Sequence, residues 1–298
     1  MKRNQNKIKN SGGSKLFDVV NVVFMLILTV LTLYPMIHIV FASFSGGNAL
    51  LAHTGLLLYP ISPSLEGYRM VFRDPMIVRG YLNTIFVVVV GSGISVVLTA
   101  LGAYFLSRKN VMLQTPIMLY IMFTMFFSGG MIPFYFTVRD LGLYDSLWAL
   151  VLPTAINAFN LIIMRTGFAA IPDSLEESAK LDGAGHLIIL FRIVVPLAMP
   201  TIAVIILYYA VERWNAWFHA MMFIQTRVKY PLQLVLRGIL LSNDTTAMTG
   251  GVSTSDQEAI GESIKYGVIV VATLPILVIY PFLQKYFVKG VMVGAVKG

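Results

Sequence analysis

The residues of this chain best suited to chemistry at a protein surface gather in one short stretch, residues 171–200. Asp173, Glu176, Glu177 and Asp182 crowd together there with a single cation, Lys180, among them. Pro172 fits a first helical turn, where no N–H is needed. Asp173 or Ser174 can cap a helix, and Glu176 and Glu177 suit the positive end of its dipole. Asp182 and Gly183 then end it, because glycine accepts a left-handed backbone. A second apolar stretch runs on to Pro196 and Pro200. The pattern predicts helix, glycine turn, helix. One reading is an interfacial helix pair, but such helices carry Lys and Arg toward lipid headgroups. This one is acidic and would be repelled by an anionic leaflet. The other reading is a knob that fits a groove on a second protein.

Other polar residues stand inside apolar surroundings. Asn157 and Asn160, three apart, share a helical face; they can line a polar path or hydrogen-bond between helices. Glu212 and Arg213 are adjacent at the end of an apolar run. Charge at bilayer depth costs about 2.5–3.5 kcal/mol per residue, so such groups are functional candidates unless they snorkel to water. Neighbours on a helix point about 100° apart, so these two need separate partners. Trp214, Trp217 and Phe218 can stack on a ring-shaped solute or form an interfacial aromatic belt. His38 is isolated and reads as a packed side chain.

Several chemistries are excluded. The chain has no Cys, so it has no thiolate ligand, Cys nucleophile or disulfide. Its four His lack metal-ligand spacing. No Ser-His or His-Glu pair falls convincingly in neighbouring apolar runs. The phosphate-cradling pattern G-x-x-x-x-G-K-[ST] is absent, so no nucleotide binds by that route.

The elements that must position these residues are membrane spans. Of 298 residues, 57% are hydrophobic and 12% charged, against about 25% charged in soluble domains; the mean hydropathy is +0.78. Six stretches without Asp, Glu, Lys or Arg approach or exceed the roughly 20 residues a crossing needs: 19–43, 80–107, 111–138, 146–164, 193–211 and 266–284. They are apolar on all sides rather than alternating, so helices are expected and a barrel is not. The first is too long for a signal-peptide core and reads as a retained span. Gly129, Gly130 and Pro133 predict a kink in the third. No internal repeat is visible.

Six spans put both termini on one side. Placed inside, the inner segments carry thirteen Lys and Arg, including Arg108 and Lys109 in a tight turn, and the outer loops eight. That bias orients the termini toward the cytoplasm. It also accounts for the net charge of +8 without nucleic acid as a partner. The expected organisation is a basic cytoplasmic segment at 1–16, one membrane domain at 17–287 with the acidic loop at about 172–192, and a cytoplasmic tail at 288–298. Outer loops are expected at about 44–79 and 219–265.

The acidic loop resembles the EAA loop of binding-protein-dependent ABC importer permeases. Glu177-Ser178-Ala179 matches the Glu-Ala-Ala start with Ser for the first Ala, and Gly183 and Pro196 fall at the expected spacing; Leu190 stands where many relatives carry Phe. Asp182-Gly183-Ala184 and Pro196-Leu197 are similar to the carbohydrate-uptake, maltose-permease type. The ending 286–298 resembles the family's ending, and Trp214 to Phe218 followed by Tyr230-Pro231-Leu232-Gln233 resembles members associated with larger oligosaccharides or polysaccharide fragments. The resemblance implies an all-α, six-span permease of a bacterial inner membrane, with a cytoplasmic coupling-helix loop. It implies an ATPase dimer, which alone binds ATP, a second related permease, an extracytoplasmic solute-binding protein, a carbohydrate substrate, and no catalysis or cofactor in this chain. It assigns the ATPase contact to Glu177, Ala179, Asp182, Gly183 and Pro196. Asn157, Asn160, Glu212 and Trp214 remain candidates for the path. The outer loop 219–265 is expected to reach toward the binding protein. An ion-coupled secondary transporter is the alternative; it needs buried acidic or His relays and inverted repeats, and only Glu212 offers itself.

Overall fold

The structure is a computed structural model. It describes the backbone of residues 12–109, 111–242 and 254–295, and the side chains of these except at 12, 242, 254–260 and 282–295. Most of the predicted N-terminal segment 1–16, the end of the tail 288–298 and the polar stretch 243–253 lie outside the described residues.

The described chain is helical, with no strand beyond one isolated bridge, Ser45 to Pro63. The long elements are α1 (Gly12–Ser43), α4 (Pro75–Ser107) and α14 (Thr254–Ala295). Between α1 and α4 lie the short α2 (Gly47–Ala52) and α3 (Glu66–Arg73). After α4 come α5 (Gln114–Phe126), α6 (Met131–Asp140), a 3-10 turn at Leu147–Leu150, and α7 (Ala158–Ala169). Next are α8 (Asp173–Leu181), α9 (His186–Ile189), a π-turn at Leu190–Val194, α10 (Val195–Leu197) and α11 (Met199–Trp214). α12 (Trp217–Phe223) and α13 (Leu232–Ser242) precede α14.

Three helices are long and apolar enough to cross a membrane alone, Gly13–Ser43, Pro75–Ser107 and Gly261–Pro281. Two further helix pairs are apolar and long enough together to cross, but each is sharply bent at a short break. α5 and α6 meet at 114°, and the run His186–Leu197 meets α11 at 88°. The first break is sharper than the expected kink: Gly130 caps α6 with φ +87°, so the helix stops and restarts. The second falls where Pro196, Pro200 and a π-turn interrupt the hydrogen-bond ladder.

The fourth predicted span departs most from expectation. It is helical only from Ala158; its first half is a 3-10 turn and irregular chain. Irregular backbone at membrane depth survives only where protein covers it, and Ala149, Leu150 and Val151 are buried. The loop expected at 219–265 is also not a simple loop: it holds most of α12, all of α13 and the start of α14.

The chain divides into two compact units. In the first, Met1–Val71 with Thr245–Val270, the end of α1 packs on the start of the last span. His38 lies between Tyr34 and Tyr266, ring centroids 5.9 and 5.8 Å away. The Ser43 and Tyr68 hydroxyls are 2.7 Å apart, and Ser263 donates to the Ser45 carbonyl.

The second unit, Phe72–Asp244 with Val271–Gly298, is built around α4. Asp74 caps α4 by accepting from the Met76 N–H at 2.7 Å, with Pro75 at the first position. Gly80, Gly91 and Gly102 recur every eleven residues along it, and an added Cβ would meet Leu232, Arg213 and Leu161 at 3.1, 2.5 and 2.8 Å. This stripe lets α13, α11 and α7 approach closely. Two α11 residues one turn apart then reach across the core. The Tyr209 hydroxyl lies 2.8 Å from the Thr99 hydroxyl and accepts from the Asn157 N–H at 3.0 Å. Arg213 donates to Ser95 at 2.6 Å and to the Thr154 carbonyl at 3.3 Å, with its guanidinium 5.1 Å from the Tyr209 ring. This ladder ties the irregular half of the fourth span to α4 and α11, and supplies partners its backbone lacks.

Candidate functional site

The acidic segment folds into the predicted elbow. α8 starts after Pro172, which occupies the cap itself, and no side chain caps it; Asp173, expected as a cap, pairs instead with Lys109 at 2.6 Å. The far end is a complete glycine closure. Gly183 has φ +80°; its N–H bonds to the Lys180 carbonyl at 3.0 Å, and the Ala184 N–H bonds to the Ala179 carbonyl at 2.9 Å. These are the paired bonds of a left-handed C-terminal cap. α9 begins at His186, three residues after Gly183.

The elbow is bolted to the C-terminal end of α4. Arg108, the C-cap of α4, donates to the Glu176 carboxylate and to the Phe168 carbonyl. Lys180 contacts Glu176 at 2.9 Å, one turn along α8. The Tyr104 hydroxyl also donates to Glu176 and sits 3.1 Å from His186 Nδ1, so α9 joins the same cluster. Side chains of Arg108 and Glu176 are only 12% and 9% exposed. Burial pushes the Glu176 carboxyl upward, but Lys180 and Arg108 outweigh it and hold the group below its usual range. Arg165 and Gln114 satisfy the Leu106 carbonyl at 2.9 and 2.6 Å, so α5 and α7 close on the same helix end.

This clamp divides the motif by direction. Glu176 and Ala179 face inward, Ala179 within the core formed with Phe168 and Ile189. Glu177, Asp182 and Gly183 face outward. Leu181 at the tip is 89% exposed, with Leu187 and Ile188 beside it. An acidic rim around exposed leucines is the composition of a protein-docking knob. Pro196 lies exposed on α10, next to the π-turn.

The candidate path residues do not form one cluster. Asn157 is the N-cap of α7, not a helix residue; its carboxamide oxygen accepts from Phe159 and Asn160 N–H groups. Asn160 is buried at 3%. Glu212 is exposed, while Arg213 turns into the core, as the differing directions of neighbouring residues require. Trp214 packs on Tyr81, 6.3 Å between ring centroids, and borders an apolar cavity of about 230 Å³ with Ile85, Leu207 and Ile279. Sequence reasoning missed the roles of Arg108, Tyr104 and Glu176. Arg108 and Lys109 were visible only as an orienting charge pair, and their acidic partners lie more than sixty residues away.

The family described as "Binding-protein-dependent transport system inner membrane component" matches residues 11–293. The chain belongs to this permease family. The family membership sets the ion-coupled alternative aside, and gives the chain its role as a membrane permease component that works with an ATPase and a solute-binding protein. The permease is 44% identical over 290 residues to the polygalacturonan/rhamnogalacturonan transport system permease protein YtcP of Bacillus subtilis, covering 96% of this chain and 99% of the relative. It is 42% identical to protein LplC of the same organism, covering 97% of each. Its fold is similar to a chain in the crystal structure of a bacterial ABC transporter involved in import of the acidic polysaccharide alginate. The TM-score is 0.86 at 35% identity, over 94% of this chain and all of that one.

Proposed function

We propose that this chain is one of two related permease subunits of an ATP-driven importer, and that its cargo is an oligosaccharide from an acidic polysaccharide. Polygalacturonan and alginate, the substrates named for two of its relatives, are both polymers of carboxylated sugars. The chain itself is non-catalytic and binds no nucleotide; ATP is held by a separate ATPase dimer. The N- and C-termini and the 172–192 loop lie in the cytoplasm. The N-terminal segment, the membrane domain and the tail divide at about residues 16 and 287.

The observation that carries this reading is the α8–α9 elbow. Glu177, Leu181, Asp182 and Gly183 form its exposed tip, and Glu176 and Ala179 fix its base. Pro196, at the foot of α11, turns motion of the tip into motion of the span. When the ATPase subunits close, the elbow is pushed as a lever. Glu176 passes the movement to Arg108 and α4, and the Tyr209–Arg213 ladder passes it from α4 to α7 and α11. A packed, hydrogen-bonded route of this kind moves as a body rather than deforming. Glu212, exposed at the outer end of α11, and Trp214 beside it stand near the path. Asn157 and Asn160 shape it from beneath by fixing the start of α7.

Co-expression with the ATPase and partner permease tests the reading. The expected result is a stable complex whose ATPase activity rises with sugar-loaded binding protein. A chain that purifies without any ATPase, while fully folded and inserted, contradicts it.

A further inference from the structure

The break between α5 and α6 opens a cleft of about 440 Å³, walled on one side by Ser128, Gly129, Gly130 and Phe134 and on the other by Phe218, His219 and Met222. Its size falls in the range of small-molecule sites. Three rings frame it: Phe134 lies 5.6 Å and Phe218 6.1 Å from the His219 ring. The His219 ring nitrogens have no hydrogen-bond partner among the described residues. Ser128 Oγ accepts from the Gly130 N–H at 3.2 Å and keeps its own proton. No Asp or Glu lines the cleft. Gly129 and Gly130 leave the wall without side chains, so a ligand can approach the backbone; at Gly130 nothing lies within 4 Å of where a Cβ would stand.

Aromatic faces take up the C–H face of a sugar ring, while a hydroxyl and an imidazole at the rim serve its oxygens. No acidic side chain lines the cleft to meet a carboxylated sugar directly; Glu212, outside the lining, acts electrostatically on His219. We propose that this cleft is a saccharide subsite, holding one to two units of an acidic oligosaccharide as it passes, with Phe218 and Phe134 as the stacking surface and His219 and Ser128 as donors. The assignment rests on the substrate reading given above. It also explains why the third span is broken and not merely kinked: a continuous helix would fill the space the ligand needs.

The chain lacks cysteine, so Met222→Cys places one unique thiol of this chain in the cleft wall. The complete importer carrying this substitution is reconstituted in liposomes with its binding protein. The alkylation rate at position 222 is read by peptide mass spectrometry with ATP, with and without trigalacturonate. Trigalacturonate is expected to slow alkylation about tenfold, and adding Phe218→Ala is expected to remove most of that protection while the complex still assembles. Equal rates with and without the sugar overturn the proposal. So does a thiol unreactive in both conditions, which means that the partner permease fills the cleft. If the unsubstituted importer takes up neutral oligosaccharides but no uronide, the substrate reading falls, and the subsite with it. If it takes up uronides and the thiol is unprotected, the subsite alone falls.

Discussion

Arg108 at the C-terminal end of α4 donates to Glu176 in α8, joining two residues 68 positions apart. Both side chains are nearly buried, and Tyr104 and Lys180 complete the cluster. Breaking a buried pair one-sidedly leaves an uncompensated charge and costs about 3 kcal/mol. Glu176→Gln and Arg108→Met are each expected to lower the detergent melting temperature and to uncouple ATP hydrolysis from uptake. The exchange Arg108→Glu with Glu176→Arg should restore part of both. Double-mutant analysis of melting and coupling checks this; additive effects would show that the pair does not act as a unit.

Gly183 separates backbone demand from side-chain demand. Its φ is +80° and open space surrounds it, so only conformation restricts the position. Asn tolerates the left-handed region and a β-branched residue does not. Gly183→Asn is expected to keep uptake near normal. Gly183→Val should cost about 1–2 kcal/mol locally and abolish uptake with membrane insertion intact. Uptake assays with a membrane-fraction blot measure both.

Gly91 and Arg213 should show strong epistasis. A Cβ at Gly91 would stand 2.5 Å from the Arg213 Nε. Gly91→Ala is expected to destabilise the wild-type chain by about 1–3 kcal/mol through overpacking. In an Arg213→Ala background, already weakened by loss of the bonds to Ser95 and Thr154, the same change should cost little. Thermal unfolding of the four variants decides it.

Asp145 supplies the pH prediction. It accepts from the Thr226 hydroxyl at 2.6 Å, from the Thr226 and Gln225 N–H groups at 2.9 Å, and from Lys229 at 2.9 Å. The hydrogen bonds to Thr226, then to Lys229, hold its carboxyl well below the ordinary carboxylate range. A group depressed in this way stabilises the fold above its ordinary pKa of about 4. That contribution declines as pH falls below about 4 and is gone once pH is below the lower, folded value. The link between the α6–α7 connection and the chain after α12 should therefore hold at pH 5 and above. Asp145→Asn should loosen it at neutral pH, seen as faster amide exchange at 225–229.

The amphipathic logic of the elbow, the glycine closure and the apolar spans could all be read from local pattern, because each depends on neighbours within a few residues. Hydropathy locates the fourth span but not its irregular first half, since a buried coil and a buried helix are equally apolar. Its stabilisers, Tyr209 and Arg213, stand one turn apart and match Ser95 and Thr99 on α4, yet nothing local pairs the two helices. The same limit hid the Arg108–Glu176 clamp. Asn157 read as a helix-face residue because its neighbours are apolar; its role at the cap depends on where the irregular chain ends.

The central claim is that the α8–α9 tip faces the cytoplasm and is covered by the ATPase. Leu181, 89% exposed at that tip, can be replaced in a chain with no cysteine of its own. Vesicles of both orientations carrying Leu181→Cys are treated with a membrane-impermeant maleimide, with and without the ATPase subunits. The account predicts labelling only in inside-out vesicles, and loss of that labelling when the ATPase is bound. Labelling from the extracytoplasmic side, or labelling that the ATPase leaves unchanged, would contradict it.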